Sequence, residues 1–156
     1  MMTSLSCDVI KALQGKTLVT AESCTGGGIG AALTSVPGSS AVYKGGVICY
    51  TNWVKHNMLS VPLGMLEKYG AVSEPVAAAM ATGAKNRLQS QIAVSVTGLA
   101  GPDGDDFGNP VGMVFIGYCD NTQSNVYRFM FSGDRESIRA QAIEAALRII
   151  LDNCNG

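Results

Sequence analysis

The chain has 156 residues, 47% of them hydrophobic and 15% charged, with a formal net charge of −1. That balance excludes a disordered chain and supplies enough apolar surface for one core, so a single domain over residues 1–156 is expected. It carries no global basic field of the kind that nucleic-acid binding requires, and no apolar run reaches the roughly 18 residues of a membrane-spanning helix.

In chain order, Leu5, Val9 and Leu13 fall at helical spacing, which predicts a helix over 3–14 ending near Gly15. Thr17 to Ala21 reads as a short buried strand, and Gly26 to Leu33 as a Gly/Ala-rich helix packed close to a sheet. Val42 to Thr51 reads as a strand with a bulge at Gly45-Gly46. Ser73-Glu74-Pro75 starts a helix running to about Leu88, with Val76, Met80 and Ala84 inward. Ile92–Thr97 and Val111–Tyr118 are strands, Val126–Phe131 is an alternating edge strand, and Ser132 or Asp134 caps a last helix. Strands separated by helices predict a three-layer α/β/α domain with a mixed, mostly parallel sheet and one antiparallel pair. Four Gly/Ser/Thr-rich loops, 22–28, 37–40, 51–55 and 97–108, then converge on one pocket if they share a sheet edge.

The cysteines at 7, 24, 49, 119 and 154 include no C-x-x-C pair, so they read as small apolar fillers in a reducing cytoplasm. The start of the chain has no signal-peptide pattern, which fits a cytoplasmic location. Asp103, Asp105 and Asp106 resemble a calcium loop, but its closing Glu is missing, so no metal is expected.

The first loop, Glu22-Ser23-Cys24-Thr25-Gly26-Gly27-Gly28, runs from strand to helix, where exposed N–H groups attract anions; it reads equally as a capped helix start. Gly26, Gly28 and Ala31 match G-x-G-x-x-[GA], yet the ribose-holding acid expected about 20 residues further on is absent. A Walker A ending is also absent. From Ser23 through Leu66 there is no Asp or Glu, and the only formal charges are Lys44 and Lys55. Such a run gives a locally positive site for an anionic ligand, or is simply buried.

Ser39 and Ser40 offer hydroxyls, but the single histidine, His56, has no acid near it in sequence, so a lysine is the stronger candidate base. Lys55 lies among Trp53, Val54 and Met58, an apolar setting that lowers an amine's pKa; it also reads as a plain surface lysine. Tyr50 is placed to relay a proton. Arg135 and Arg139 lie one helical turn apart, each able to reach a phosphate or to pair with Asp134 or Glu136.

Seven ordered blocks then stand together: Glu22 to Gly27, Val36 to Ser40, Tyr50-Thr51-Asn52 with Lys55, Gly70 to Ser73, Thr97 to Gly104, Pro110 to Gly112, and Phe131 to Arg135. Together they resemble the CinA C-terminal domain family, whose single-domain members are nicotinamide-nucleotide amidases. The resemblance implies hydrolysis of the carboxamide of nicotinamide mononucleotide to nicotinic acid mononucleotide and ammonia, without a cofactor. It also implies a catalytic group of Ser40 as nucleophile, Ser23 in support, Tyr50 and Lys55. Substrate contacts are expected at Thr25, Gly26, Gly27, Ser39, Thr97, Gly98, Gly101, Arg135 and Arg139. The implied partner is a small nucleotide, with neither nucleic acid nor membrane, and the implied assembly is a homodimer. The alternative is a catalytically inactive paralogue that binds a phosphorylated nucleotide as a sensor. One departure is Asn109, where the family often carries a lysine before the proline.

Overall fold

The apolar stripe of Leu5, Val9 and Leu13 is buried, as its spacing predicts, at the start of a chain whose residues 2–154 are described by a computed structural model. The helices are α1 (Met2–Ala12), α2 (Gly28–Thr34), α3 (Asn52–Leu59), α4 (Leu63–Tyr69), α5 (Glu74–Arg87) and α6 (Arg135–Cys154). The strands are β1 (Leu18–Glu22), β2 (Tyr43–Ile48), β3 (Ile92–Gly98), β4 (Met113–Cys119) and β5 (Ser124–Met130). Among the described residues the strands form one sheet in the order β2-β1-β3-β4-β5.

Alternate residues of the central strands feed two cores, as the pleat requires. Ile92, Val94 and Val96 face α1, α2 and α6, while Ala93 joins Val76, Met80, Ala81 and Ala84 of α5 on the other side. The result is the expected three-layer α/β/α arrangement. Helix α5 lies unusually close to the sheet. Ser95 Oγ donates to Ala77 O at 2.6 Å, and a Cβ at Gly117 would meet that carbonyl at 2.6 Å.

The sheet is mixed, as expected, with β4 alone running against the other four strands, which makes two antiparallel pairs where one was expected. β2-β1 and β1-β3 are parallel, whereas β3-β4 and β4-β5 are both antiparallel. A parallel return needs a crossover element, and the 99–112 connection contains no helix, so β4 returns antiparallel. The bulge near Gly45 is present: the β1–β2 register shifts between Leu18 and Val19, leaving Lys44 unpaired. The strand expected to reach Thr51 ends at Ile48, and the expected 51–55 loop is instead the first turn of α3. Thr51 caps it, its hydroxyl accepting from Val54 N–H at 3.4 Å. Eight residues are too few for a helical period to stand out. Asp134, rather than Ser132, caps α6 by accepting from Ser137 N–H at 2.9 Å.

This topology brings one set of termini together. The carboxyl ends of β1, β2, β3 and β5, the amino end of β4 and the amino end of α6 share one edge of the sheet. No helix among the described residues is long and apolar enough to cross a membrane.

Candidate active site

At that edge β1 ends in Glu22, whose carboxylate is only 2% exposed. Its Oε1 accepts from Thr25 Oγ1 at 2.7 Å and Ile29 N–H at 2.8 Å, and its Oε2 accepts from Gly30 N–H at 3.0 Å. The acid therefore satisfies the orphan donors of α2 from within the chain. The helix start expected to attract an anionic ligand thus meets the chain's own acid. Gly26 N–H closes on Ser23 O and Gly28 N–H on Thr25 O, which leaves Gly27 N–H as the one amide of the three with no hydrogen bond among the described residues. Thr25 is fully buried and bonded to Glu22, and neither it nor Gly26 nor Gly27 lines the cleft described below. Their glycine content serves the turn: Gly26 and Gly27 have φ of 58° and 101°. Glu22→Ala is expected to lower stability by about 3 kcal/mol, because it strands two buried N–H groups. Urea unfolding checks this, and an unchanged midpoint would contradict it.

The turn after Glu22 delivers Ser23 to a buried amine. Lys55, 1% exposed, sits on the inner face of α3, with Nζ 2.9 Å from Ser23 Oγ. The same nitrogen donates to Cys49 O at 2.8 Å and Tyr50 O at 3.4 Å. It has no carboxylate in ion-pair reach, since the one salt bridge among the described residues is Arg148–Glu144. Burial therefore pushes the amine's pKa down from its ordinary value. Its three hydrogen-bond partners are one hydroxyl and two carbonyls, none of them charged, so no counter-charge offsets the cost of burying an ammonium there. The neighbouring thiols of Cys24 and Cys49 are pushed up to about 11 by burial, which leaves them protonated at neutral pH and poor nucleophiles.

Ser40 lies elsewhere. It is exposed on a short 3-10 helix, Ser39–Ala41, that precedes the amino end of β2. The length of β2 separates it from Lys55, roughly 20 Å at about 3.3 Å per residue. Ser39, buried in the same turn, is equally remote. Position in the chain made the two serines look alike; the direction of β2 separates them.

Ser23, Lys55 and Tyr50 open on a cleft of about 370 Å³, walled by Ala71 and Val72 on one side and the 97–107 loop on another. Thr97, Gly98, Gly101 and Arg135 line it. Thr97 donates to Ala71 O at 2.8 Å and so ties the two walls together. Arg135 bridges the mouth, with Nη1 2.6 Å from Gly101 O and Nη2 3.1 Å from the Tyr50 hydroxyl. The Tyr50 hydroxyl is thus held by Arg135 rather than by the serine–lysine pair. Arg139 lies one turn deeper and is not in the cleft; it bonds the carbonyls of Cys24 and Thr25.

The tip of the 97–108 loop, expected to border the pocket, supplies further lining residues. Asp103, Asp105, Asp106 and Phe107 come from the loop tip. Asp105 accepts from the N–H groups of Phe107 and Asn109, at 3.0 and 2.9 Å, and from Asn109 Nδ2 at 2.8 Å. Those bonds hold its carboxyl below the usual range, despite partial burial acting the other way. Asn109 also donates to Val72 O at 3.1 Å and so fastens the tip to the opposite wall. Glu22 had one available signal, an acid ending an otherwise apolar strand. Among the described residues no group of three or more His, Cys, Asp or Glu side chains is arranged to hold a metal. A second cavity, about 290 Å³ and lined by Lys16, Tyr118, Asp120 and Asn153, lies at the far edge of the sheet and contains neither Ser23 nor Lys55.

A hydroxyl on the turn between a strand and a helix, in contact with a buried amine, is the arrangement of an activated nucleophile. Known proteins share the whole frame. Over 136 residues the chain is 52% identical to a CinA-like protein of Parasynechococcus marenigrum, covering 85% of this chain and 32% of that one. Over 147 residues it is 46% identical to a putative competence-damage inducible protein of Halothermothrix orenii, covering 92% and 36%. The chain thus spans about a third of the length of these curated relatives. A crystal structure of a competence-damaged protein (CinA) superfamily protein from Klebsiella pneumoniae superposes with a TM-score of 0.96 at 34% identity, covering 99% of this chain and 98% of that one. The competence/damage inducible protein CihA from Agrobacterium tumefaciens superposes with a TM-score of 0.94 at 37% identity, covering 99% and 96%. The family model described as CinA C-terminal domain matches residues 2–154, and the chain belongs to that family.

Proposed function

We propose that this chain is an amidohydrolase that converts nicotinamide mononucleotide to nicotinic acid mononucleotide and ammonia. The observation that carries the reading is the 2.9 Å approach of Ser23 Oγ to a buried Lys55 amine that has no acid partner. The nucleophile is Ser23, and Ser40 has no part in the reaction.

Neutral Lys55 takes the proton of Ser23 as Oγ attacks the carboxamide carbon. The carbonyl oxygen gains the negative charge of a tetrahedral intermediate. The N–H groups of Cys24 and Thr25, which follow the nucleophile, donate to no backbone carbonyl among the described residues and are the donors offered to that charge. Collapse breaks the C–N bond, and the Lys55 ammonium returns its proton to the leaving nitrogen, releasing ammonia. Water, deprotonated by the same amine, then cleaves the acyl–Ser23 ester to the carboxylate. Arg135, at the cleft mouth, exchanges the Tyr50 hydroxyl and Gly101 carbonyl for the nucleotide's phosphate.

Incubating the protein with nicotinamide mononucleotide should release ammonia and nicotinic acid mononucleotide in equal amounts. A Lys55→Ala control should release neither. Thermal stabilisation by the nucleotide with no product would instead support a sensor module. Equal ammonia from protein and control would end the amidase reading.

A further inference from the structure

The turn that presents Ser23 is gripped from two sides. Glu22 holds one side through α2. On the other, Arg139 reaches from α6 and donates Nε to Cys24 O at 3.0 Å and Nη2 to Thr25 O at 3.1 Å. The turn itself closes through Gly26 N–H on Ser23 O at 3.1 Å, which leaves the Cys24–Thr25 peptide at its middle without a backbone partner. Arg139 is half-buried and forms no ion pair among the described residues, so its charge is directed at those two carbonyls alone.

Because each peptide unit is planar and trans, a rigid guanidinium fork on two successive carbonyls fixes the orientation of both planes. Drawing Cys24 C=O toward α6 turns the N–H of Thr25, on the same peptide, the opposite way. A lysine, a point charge without the fork, cannot set both planes at once.

We propose that Arg139 is a positioning residue for the nucleophile: by gripping the Cys24 and Thr25 carbonyls it holds the turn so that Ser23 Oγ stays on Lys55 Nζ, and it turns the Thr25 N–H, on the Cys24 carbonyl's own peptide, away from α6 as a donor to the developing oxyanion. It touches neither substrate nor reacting atoms. This inference rests on the reading of Ser23 as nucleophile.

The test compares wild type, Arg139→Ala and Arg139→Lys by two readouts. One is turnover of nicotinamide mononucleotide. The other is the rate at which an alkyl fluorophosphonate modifies Ser23, forming the Oγ–P bond with loss of fluoride. Arg139→Ala should lower kcat about 100-fold, the scale of a misplaced reacting group, with KM held, and should slow Ser23 labelling in parallel. Added guanidinium ion should restore part of both rates. Arg139→Lys should fold like wild type and still label slowly, and it decides the matter alone if the alanine variant does not fold. A raised KM with kcat intact would make Arg139 a substrate ligand and overturn the proposal, as would unchanged labelling of Ser23. If wild type labels at Ser23 yet releases no ammonia, the amidase reading fails while the labelling comparison still tests Arg139.

Discussion

Replacing Ser23 with alanine is expected to lower kcat for nicotinamide mononucleotide by about 10⁴-fold or more, whereas Ser40→Ala should leave it within about twofold of wild type. The asymmetry follows from the sheet. Strands β1 and β2 run parallel, so the residue that follows the carboxyl end of β1 meets the residues that follow the carboxyl end of β2. Ser23 follows β1, and Lys55 follows β2 on the first turns of α3. Ser40 precedes β2 and is carried to the other end of the layer. Ser23→Ala removes one oxygen from a buried site and leaves the Cys49 and Tyr50 carbonyls to hold the amine, so the fold should persist. Circular dichroism and steady-state kinetics on both variants measure the contrast. Activity lost in Ser40→Ala and kept in Ser23→Ala would reverse the assignment.

The elements with strong local codes were legible. The strands at Ile92 and Met113, the Ser73-Glu74-Pro75 helix start and the inward stripe of Val76, Met80 and Ala84 follow from apolar spacing and first-turn chemistry that act over a few residues. Helix α3 was hidden because its eight residues, Asn52 to Leu59, carry no apolar period and its cap is one weak Thr51 bond. The direction of β4 was also hidden, since it depends on what the 99–112 loop lacks rather than on anything β4 contains.

For the site, Lys55 was readable because an isolated cation among apolar neighbours, in a run without acids, is a local fact. Its partner was not. Choosing between Ser23 and Ser40 requires knowing which ends of two parallel strands meet, a property of pairing across more than twenty residues. A Gly-rich strand-to-helix turn suits an anion, which makes Thr25, Gly26 and Gly27 read as ligand contacts. The anion is present, but it is the chain's own Glu22. Arg135 and Arg139 share a helix face in sequence, yet one turn of α6 separates the cleft mouth from the back of the Ser23 turn.

The largest pH effect should come from Lys55 itself. Burial lowers its pKa in the folded protein, while the unfolded chain returns it to about 10.4. Between those two values the unfolded state binds more protons, so folding stability rises with pH across that window and the contribution is lost as pH falls through it. Catalysis runs in the same direction, because only the neutral amine can take the Ser23 proton. The kcat/KM of wild type should climb about tenfold per pH unit on the acid side and level off below the ordinary lysine value. Lys55→Met should lose at least about 10³-fold in activity and show no such limb. Lys55→Arg should be equally inactive at every pH tested, because a guanidinium stays protonated and cannot act as base. Thermal unfolding supplies a readout independent of turnover: the stability of wild type relative to Lys55→Met should improve steadily as the pH is raised toward the unfolded lysine value. A difference that stays constant with pH would mean that the amine titrates no differently once buried, and Lys55 could not then be the base.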